Sequence, residues 1–349
     1  MKIWSAGTTG IIERERGLCC FFKNRLLSYW YVENELLAMG EAFSMITTDF
    51  PQIKLFLDSG AFTAYQQGVH IDIQAYIAFI KKHENKLEVY ANLDVIGDAE
   101  ATWKNQLIME EAGLTPLPVF HSGEDEKYLE RYVEQYDYIA LGGIASHKNQ
   151  RQLSHWLDNL FTNYLCNKDG VPVIKTHGFG ITRLKILFRY PWYSVDSTSW
   201  IITGRLGGIY VPYRKGGEWV YDTQVSKVTV SNRSGSVSEV GAHIYNMSPQ
   251  EASTVKDYLA EAGVSLGKSE FKDVSPSYEL KEDERWLHKA DVLTKKGKRT
   301  VEMLLERGVC NDYKKRDLVN LFYFLELEKR MPKYPWAFTK KESNPGFGF

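Results

Sequence analysis

The chain lacks several features that would place it in a special class of protein. None of its apolar runs approaches the roughly 20 residues that a membrane span needs. Its first ten residues, MKIWSAGTTG, lack the basic segment and apolar stretch of a secretory signal. Its 4 cysteines form no C-x-x-C pair, which argues against a disulfide framework and against a cysteine-rich zinc site. We therefore expect a cytoplasmic protein with reduced thiols.

A large excess of one charge is also absent, since 43 Lys+Arg balance 44 Asp+Glu. Residues 281–349 nevertheless carry 16 Lys+Arg against 11 Asp+Glu, with aromatic residues between them. Such a patch can follow a phosphate backbone, although an ordinary solvated helical face fits equally well. The candidate cations for nucleic-acid binding in this part are Lys295, Lys296, Lys298 and Arg299.

Short apolar runs alternate with helical periods between about residues 50 and 200. The runs are Lys54–Asp58, Leu87–Asp94, Pro116–His121, Tyr138–Gly143, Val171–Gly178 and Tyr193–Asp196. They are apolar almost throughout, which is typical of parallel strands covered on both faces. Helical periods lie between them at residues 73–80, 129–136 and 153–164. The pattern predicts an α/β fold.

Two parallel-sheet folds fit this alternation, the doubly wound sheet and the TIM-like (β/α)8 barrel. No G-x-G-x-x-G follows the first strand, as a dinucleotide-binding sheet requires. Nearly every predicted strand instead ends in a polar residue or glycine, and a barrel gathers its strand ends around one mouth. We therefore predict a barrel over residues 1–235, with Lys2–Ala6 as its first strand.

Beyond the barrel, residues 236–349 are predicted to form a mostly helical, basic extension. Ser248-Pro249-Gln250-Glu251 has the pattern of a capping box with proline at the first helical position. Residues 265–284 are polar and resemble a linker, and residues 285–331 again have a helical pattern.

Two strand-end aspartates are the strongest candidates for chemistry. Asp58 begins the segment DSGAF, and Asp196 lies in YSVDSTSW. Either could merely cap the following helix. Opening on one mouth, however, a pair of carboxylates is suited to substitution at the anomeric carbon of a sugar, where one attacks and the other moves a proton.

Other strand-end residues could contact a ligand. Asp94 could accept hydrogen bonds from a guanine-like edge, His121 could bind a polar edge, and Gly142-Gly143 would let backbone amides approach closely. Each could equally be structural. His177 would allow a metal site with His121 and the aspartates, but no H-x-x-x-H or H-E-x-x-H spacing supports one. A Ser-His-Asp triad is disfavoured because no G-x-S-x-G is present.

In this order, the segments resemble the queuine/archaeosine tRNA-guanine transglycosylase superfamily over roughly residues 54–235. DSGAF is similar to the family's D-S-G-G-F/Y, YIALGGIA to A-V-G-G-L-A, and Ser194-Val195-Asp196 to F-D-C. The closest likeness is to the DpdA-type branch, enzymes of phages and bacteria that place 7-deazaguanines in DNA. Fold and activity on this basis are expectations.

The resemblance implies a role for each matching residue. Asp196 would be the nucleophile and Asp58 the general acid/base. The substrate-binding residues would be Ser59, Phe62, Asp94, His121, Gly142, Gly143 and His177, with histidines at 121 and 177 where the family has glutamine and methionine. Arg205, just after Gly204, and Arg214 would hold phosphates. The partners would be duplex DNA with the target base flipped out and a 7-deazaguanine such as preQ0, and no cofactor or metal is needed.

One departure from the family is large. The tRNA enzymes carry a C-x-C-x-x-C zinc site after the barrel, and this chain has no cysteine between Cys166 and Cys310. The DpdA-type branch is expected to lack that site. A zinc-free enzyme acting on tRNA, a non-catalytic nucleic-acid-binding barrel and an unrelated lyase or aldolase stay open as alternatives, although Lys175 is the sole lysine near a strand end. A homodimer is possible. If the protein is encoded by a phage, its expected location is the host cytoplasm.

Overall fold

The structure of the protein is a computed structural model, and it describes residues 1–9, 12–33, 37–144, 147, 149–181, 183–234, 243–288, 293–294 and 296–339. The contacts divide the chain into two compact units. The first is Met1–Thr198 with Glu328–Phe349, and the second is Ser199–Leu327.

The first unit is built on an eight-stranded parallel sheet. Its strands are Lys2–Ala6 (β1), Asn24–Ser28 (β2), Lys54–Asp58 (β3), Leu87–Tyr90 (β4), Val119–His121 (β5), Tyr138–Gly142 (β6), Lys175–Gly178 (β7) and Ser194–Ser197 (β8). They lie in the order β4-β3-β2-β1-β8-β7-β6-β5, and every neighbouring pair is parallel. The predicted α/β class is thereby confirmed.

Helices connect these strands. They are Ile12–Cys19 (α1), Tyr29–Glu33 (α2), Leu37–Asp49 (α3), Ala61–Gln66 (α4), Ile73–His83 (α5), Ala99–Glu111 (α6), Glu126–Gln135 (α7), Gln150–Leu160 (α8) and Leu184–Arg189 (α9). Short polar side chains begin four of them by accepting a hydrogen bond from a backbone N–H of the first turn: Asp72, Asp98, Asp125 and Asn149.

The sheet curls into a half-barrel, and the prediction of a closed barrel is wrong. Its edge strands β4 and β5 meet only just beyond β4 and before β5, in one parallel bridge between Ala91 and Leu117. The N–H of Thr115, which precedes this bridge, donates to the Tyr90 hydroxyl oxygen at 2.8 Å. A side chain thus occupies a backbone donor that would otherwise be available to extend the ladder.

The alternation of side chains along each strand separates core residues from site residues. Trp4, Phe56, Val119 and Ala140 belong to the buried apolar cluster inside the curl. Side chains two positions apart on a strand share a face. Asp58, His121 and Gly142 therefore lie on the same face as this core, one layer closer to the carboxyl ends of β3, β5 and β6.

A segment near the end of the chain completes the first unit. Phe338 is 6% exposed and stacks on Tyr190, with ring centroids 5.4 Å apart. Its N–H donates to Gly170 O at 2.8 Å, and its ring also contacts Phe161. Residues more than 130 positions apart along the chain therefore share one core.

The second unit combines short antiparallel sheets with helices. Its elements are Ser199–Arg205 (α10), Gly208–Val211 (β9), Tyr213–Lys215 (β10), Glu218–Val220 (β11), Ser226–Thr229 (β12), Pro249–Glu261 (α11), Lys268–Val274 (β13), Glu284–Trp286 (β14), Arg299–Glu306 (β15) and Tyr313–Arg330 (α12), whose last residues belong to the first unit. β9 pairs with β12, β10 with β11, and β15 lies between β13 and β14.

The extension differs from the sequence-based expectation. The capping box is confirmed, since Ser248 and Glu251 exchange both bonds at the start of α11. The linker predicted at residues 265–284 is wrong, because β13 lies there. The helical prediction for 285–331 holds for α12 and is wrong for β14 and β15. The boundary predicted after residue 235 falls between β12 and α11.

Among the described residues, every helix is too short or too polar to serve as a membrane span.

Candidate active site

The carboxyl ends of the parallel strands surround a cavity of about 730 Å³. Seven of the sequence-based candidates line this cavity, and each lies at the end of one of five strands or in the segment that follows it. These are Asp58, Phe62, Asp94, His121, Gly142, Gly143 and Asp196. Two of the substrate-binding candidates are not in the lining, Ser59 and His177, and both are fully buried.

The carboxyl group of Asp58 holds its proton more tightly than a free aspartate does. Burial, together with the negative charges of Asp94 and Asp196, raises its pKa to about 7. Its Oδ2 accepts from the N–H of Gly60 at 3.1 Å, which partly offsets this rise. Gly60 has φ of 80° and a Cβ there would lie 2.4 Å from Trp30 Cβ, so the turn that orients Asp58 requires glycine.

Asp94 is fixed from two sides. The Ser59 hydroxyl donates to its Oδ1 at 2.8 Å, and His121 Nε2 lies 3.1 Å from its Oδ2. Each carboxylate oxygen has a second lone pair, so both oxygens can still accept a bond from a ligand. Ser59 and His121 thus position the Asp94 carboxylate within the cavity.

His121 is clamped between two carboxylates. Its Nδ1 lies 3.3 Å from Glu124 Oε1, and its backbone N–H donates to Glu124 Oε2 at 2.8 Å. Burial disfavours the charged ring, but the bonds to Asp94 and Glu124 outweigh it and raise the pKa of His121 to about 10. At neutral pH both ring nitrogens therefore carry protons and donate.

The ring of His121 lies against the backbone of Gly142. A Cβ at residue 142 would be 2.4 Å from His121 Cδ2 and 2.7 Å from its Nε2. Only glycine leaves room for the ring on the neighbouring strand. This close approach helps to hold His121 in line with Asp94.

Asp196 is held as an acceptor on the other side of the cavity. It is 6% exposed, and its Oδ1 accepts from the N–H of Gly180 at 2.7 Å. His177 Nε2 lies 3.4 Å from the same oxygen, longer than a good hydrogen bond. Burial, opposed by Asp196, lowers the pKa of His177, so its ring is neutral at pH 7.

A chain of polar groups continues behind His177. Its Nδ1 lies 2.7 Å from the Ser194 hydroxyl, which lies 2.7 Å from the hydroxyl of Tyr138. The ring also packs between Phe56 and Phe179. This packing and the bond to Ser194 fix the orientation of the imidazole beside Asp196.

Phe62 is the exposed aromatic of the lining. It lies in the first turn of α4, is 53% exposed and borders the cavity. Its ring is therefore available to cover a flat ligand.

The cavity is strongly acidic. Seven carboxyl groups line it, against one histidine: Asp58, Asp94, Asp98, Glu100, Glu124, Asp125 and Asp196. The described lining includes no lysine or arginine. The site thus suits a neutral or cationic ligand and repels phosphate.

Three contacts were not among the sequence-based candidates. Glu124 binds His121, Gly180 binds Asp196, and Ser194 binds His177. Only Glu124 had a usable signal, because it lies three residues after a strand-end histidine. The other two depend on how neighbouring strands are aligned.

The basic candidates lie outside this cavity. Arg205, Arg214, Lys296 and Lys298 are exposed, and the Arg299 guanidinium lies 3.5 Å from the ring centroid of Trp286. Arg214 Nη1 forms an ion pair with Asp257 Oδ2 at 3.0 Å. Lys295 lies outside the described residues. A role of these side chains in binding nucleic acid stays a prediction.

Comparison with other proteins adds no identity to this geometry. Neither the protein-family models nor the curated proteins include a match to this chain. Within the described residues, no group of three histidine, cysteine or carboxylate side chains is placed to hold a metal ion.

Proposed function

We propose that the protein is a DNA-guanine transglycosylase that exchanges guanine for a 7-deazaguanine through a covalent intermediate on Asp196. The observation that carries the proposal is the pair Asp58 and Asp196, which line one cavity in contrasting environments. Asp58 has a pKa of about 7, and the Asp196 carboxylate accepts a short hydrogen bond from the backbone N–H of Gly180. A carboxyl that exchanges its proton near neutral pH suits a proton carrier, and a carboxylate fixed by a backbone amide suits a nucleophile.

In the first displacement, an oxygen of Asp196 attacks C1′ of the deoxyribose. The bond from C1′ to N9 breaks, its electron pair stays on N9, and guanine leaves with the proton that the protonated Asp58 carboxyl gives it. The Gly180 N–H orients the attacking carboxylate. The sugar is then held as an ester of Asp196.

In the second displacement, the incoming 7-deazaguanine attacks C1′ through N9 and expels Asp196. The N9 proton passes to the Asp58 carboxylate. A group with a pKa near 7 can give a proton in one step and take one in the next at neutral pH.

Asp94 is suited to read the base. Guanine presents N1–H and its amino group side by side, and both Asp94 oxygens keep a free lone pair. Because Ser59 and the His121 cation fix this carboxylate, it can select a donor edge without reorienting. Phe62 would cover the face of the base.

The acidic lining also favours a flipped base over an intact strand. A neutral base can enter, whereas the phosphates are repelled and stay outside. Flipping costs a few kcal/mol for unstacking and unpairing. Phosphate contacts must therefore come from other residues.

The test is base exchange followed by nucleoside mass spectrometry. The whole protein is incubated with a 7-deazaguanine and either duplex DNA or tRNA, alongside Asp196→Asn and Asp58→Asn. Asp169→Asn is the matched control, because Asp169 is an exposed acid in the loop before β7. A deoxynucleoside product that both site variants lose and the control keeps is expected. Product in tRNA alone would make the protein a tRNA enzyme, and no product with either substrate would refute the proposal.

A further inference from the structure

The second unit contains a separate basic cavity of about 420 Å³. Its polar lining consists of three arginines and three hydroxyl residues: Arg205, Arg233, Arg316, Ser231, Ser234 and Tyr313. The described lining includes no carboxylate. In charge it is the opposite of the cavity that holds Asp58 and Asp196.

The arginines are oriented by backbone carbonyls. Arg233 donates from Nε to Leu287 O at 3.2 Å and from Nη2 to the carbonyls of Leu287 and Trp286. Arg316 is 6% exposed and donates to Gly204 O at 2.7 Å and to Val309 O at 2.6 Å. A carbonyl fixes a guanidinium but does not neutralise it, so the positive charge of Arg233 is held in place.

Arg233 lies near the ion pair of Arg285 and Glu302. Burial and the neighbouring Arg285 guanidinium lower the pKa of Arg233, against the opposing effect of Glu302. Glu302 is itself occupied by Arg285 Nε at 2.8 Å and by the Ser269 hydroxyl at 2.9 Å. Glu302 thus pairs with Arg285, and among the described residues it forms no ion pair with Arg233.

The hydroxyls supply donors of the kind a phosphate takes. Ser231 Oγ accepts from the N–H of Arg233 at 3.3 Å, so its own proton can point to a ligand. Arg233 Nη1 has no hydrogen bond to the described residues. Planar guanidinium forks match the oxygens of phosphate, and charge-assisted bonds of this type are strong.

We propose that this cavity binds a phosphate group of a nucleic-acid strand. The residues described above support a phosphate-binding site. That the phosphate belongs to a nucleic-acid strand rests on the proposed transglycosylase function. Arg205, chosen from the sequence for phosphate contact, is here joined by Arg233 and Arg316, which the sequence pattern did not single out.

The experiment measures binding of labelled duplex DNA by the whole protein between about 50 and about 200 mM salt. Arg233→Gln is compared with Arg307→Gln, which removes an equal charge from an exposed pair with Asp283 in the same unit. We expect Arg233→Gln to weaken binding at least about fivefold and to reduce the salt slope by about 1. Equal effects of the two variants would overturn the proposal.

Two further measurements separate the site from the fold and from the proposed chemistry. If Arg233→Gln lowers the melting temperature, Arg233→Lys carries the test, since it keeps the charge and loses the fork. Inorganic phosphate should displace DNA from wild type. Thermal stabilisation by phosphate that Arg233→Gln abolishes, with DNA binding unaffected by that variant, would refute the strand as the source of the phosphate.

The exchange assay distinguishes the two failures. A salt-slope effect without exchange on any substrate would leave the phosphate site standing and refute the transglycosylase. Exchange by wild type, with a KM for DNA that does not change in Arg233→Gln, would support the transglycosylase and refute the phosphate site. A raised KM with little change in kcat is the result we expect.

Discussion

His121 should keep its proton far above neutral pH, and this prediction tests the site without assuming any reaction. The perturbation is Glu124→Gln, which removes one of the two carboxylates that hold the ring. Glu124 lies 3.3 Å from Nδ1, and Asp94 lies 3.1 Å from Nε2. The variant keeps its shape and one acceptor but loses a negative charge.

The magnitude follows from the pKa of His121. A rise from 6.5 to about 10 corresponds to about 5 kcal/mol of preference for the charged ring, shared between the two carboxylates. Because the folded pKa is raised, this stabilisation is complete below about pH 6.5 and is lost as the pH rises towards about 10. Removing one nearby charge should lower the pKa by about 1–2 units.

The assay is an NMR titration of the histidine rings from pH 5 to above about pH 10, with His121→Gln used to assign the signal. We expect the His121 ring to stay protonated through about pH 8 in wild type and to titrate earlier in Glu124→Gln. The His177 ring should be neutral at pH 7. A His121 signal that titrates near 6.5 in wild type would refute the clamp.

Three further predictions concern other parts of the first unit. Gly142→Ala should push the neighbouring imidazole off its carboxylate and cost about 1–3 kcal/mol by thermal unfolding, whereas Gly17→Ala, which meets nothing within 4 Å, should cost nothing. The exchange rate should peak near pH 7 and fall on both sides, because one displacement needs Asp58 with its proton and the other needs it without; a rate that does not change around pH 7 would remove Asp58 as the proton carrier. Glu15→Gln should destabilise the unit by about 3–5 kcal/mol in denaturant unfolding, because it removes the carboxylate charge that pairs with the fully buried guanidinium of Arg25; a cost below about 1 kcal/mol, usual for exposed pairs, would contradict this.

The strands that sequence could predict are those buried on both faces. β3 and β6 are almost continuous apolar runs, so their pattern is unmistakable. β2 contains Asn24 and Arg25 and looks like surface, yet Arg25 is fully buried because Glu15 pairs with it. A partner distant in the chain can thus make a charged residue part of a strand.

The exposed antiparallel sheet was missed for the opposite reason. β13 reads KSEFKDV and is at most half-buried along its length, so its composition is that of a loop. Its strand character comes from pairing with β15, which begins 25 residues after β13 ends. Local polarity does not reveal such long-range hydrogen bonds.

The site was predictable to the extent that strand ends meet at one edge. Asp58, Asp94, His121 and Asp196 follow from that rule alone. How each is held does not, because the bond from Gly180 to Asp196 depends on the register of neighbouring strands and loops. The single bridge between Ala91 and Leu117, where the edge strands meet, likewise has no signal in the local sequence.

The packing of Phe338 on Tyr190 has a consequence for biosynthesis. The ribosome synthesises the whole second unit before it adds this phenylalanine. Until then, part of the aromatic core of the nascent first unit stays exposed to water. Exposed apolar surface of this kind is prone to association and is a natural target for chaperones. A chain terminated before residue 338 would carry every lining residue of the acidic cavity and still lack part of the aromatic core of the first unit.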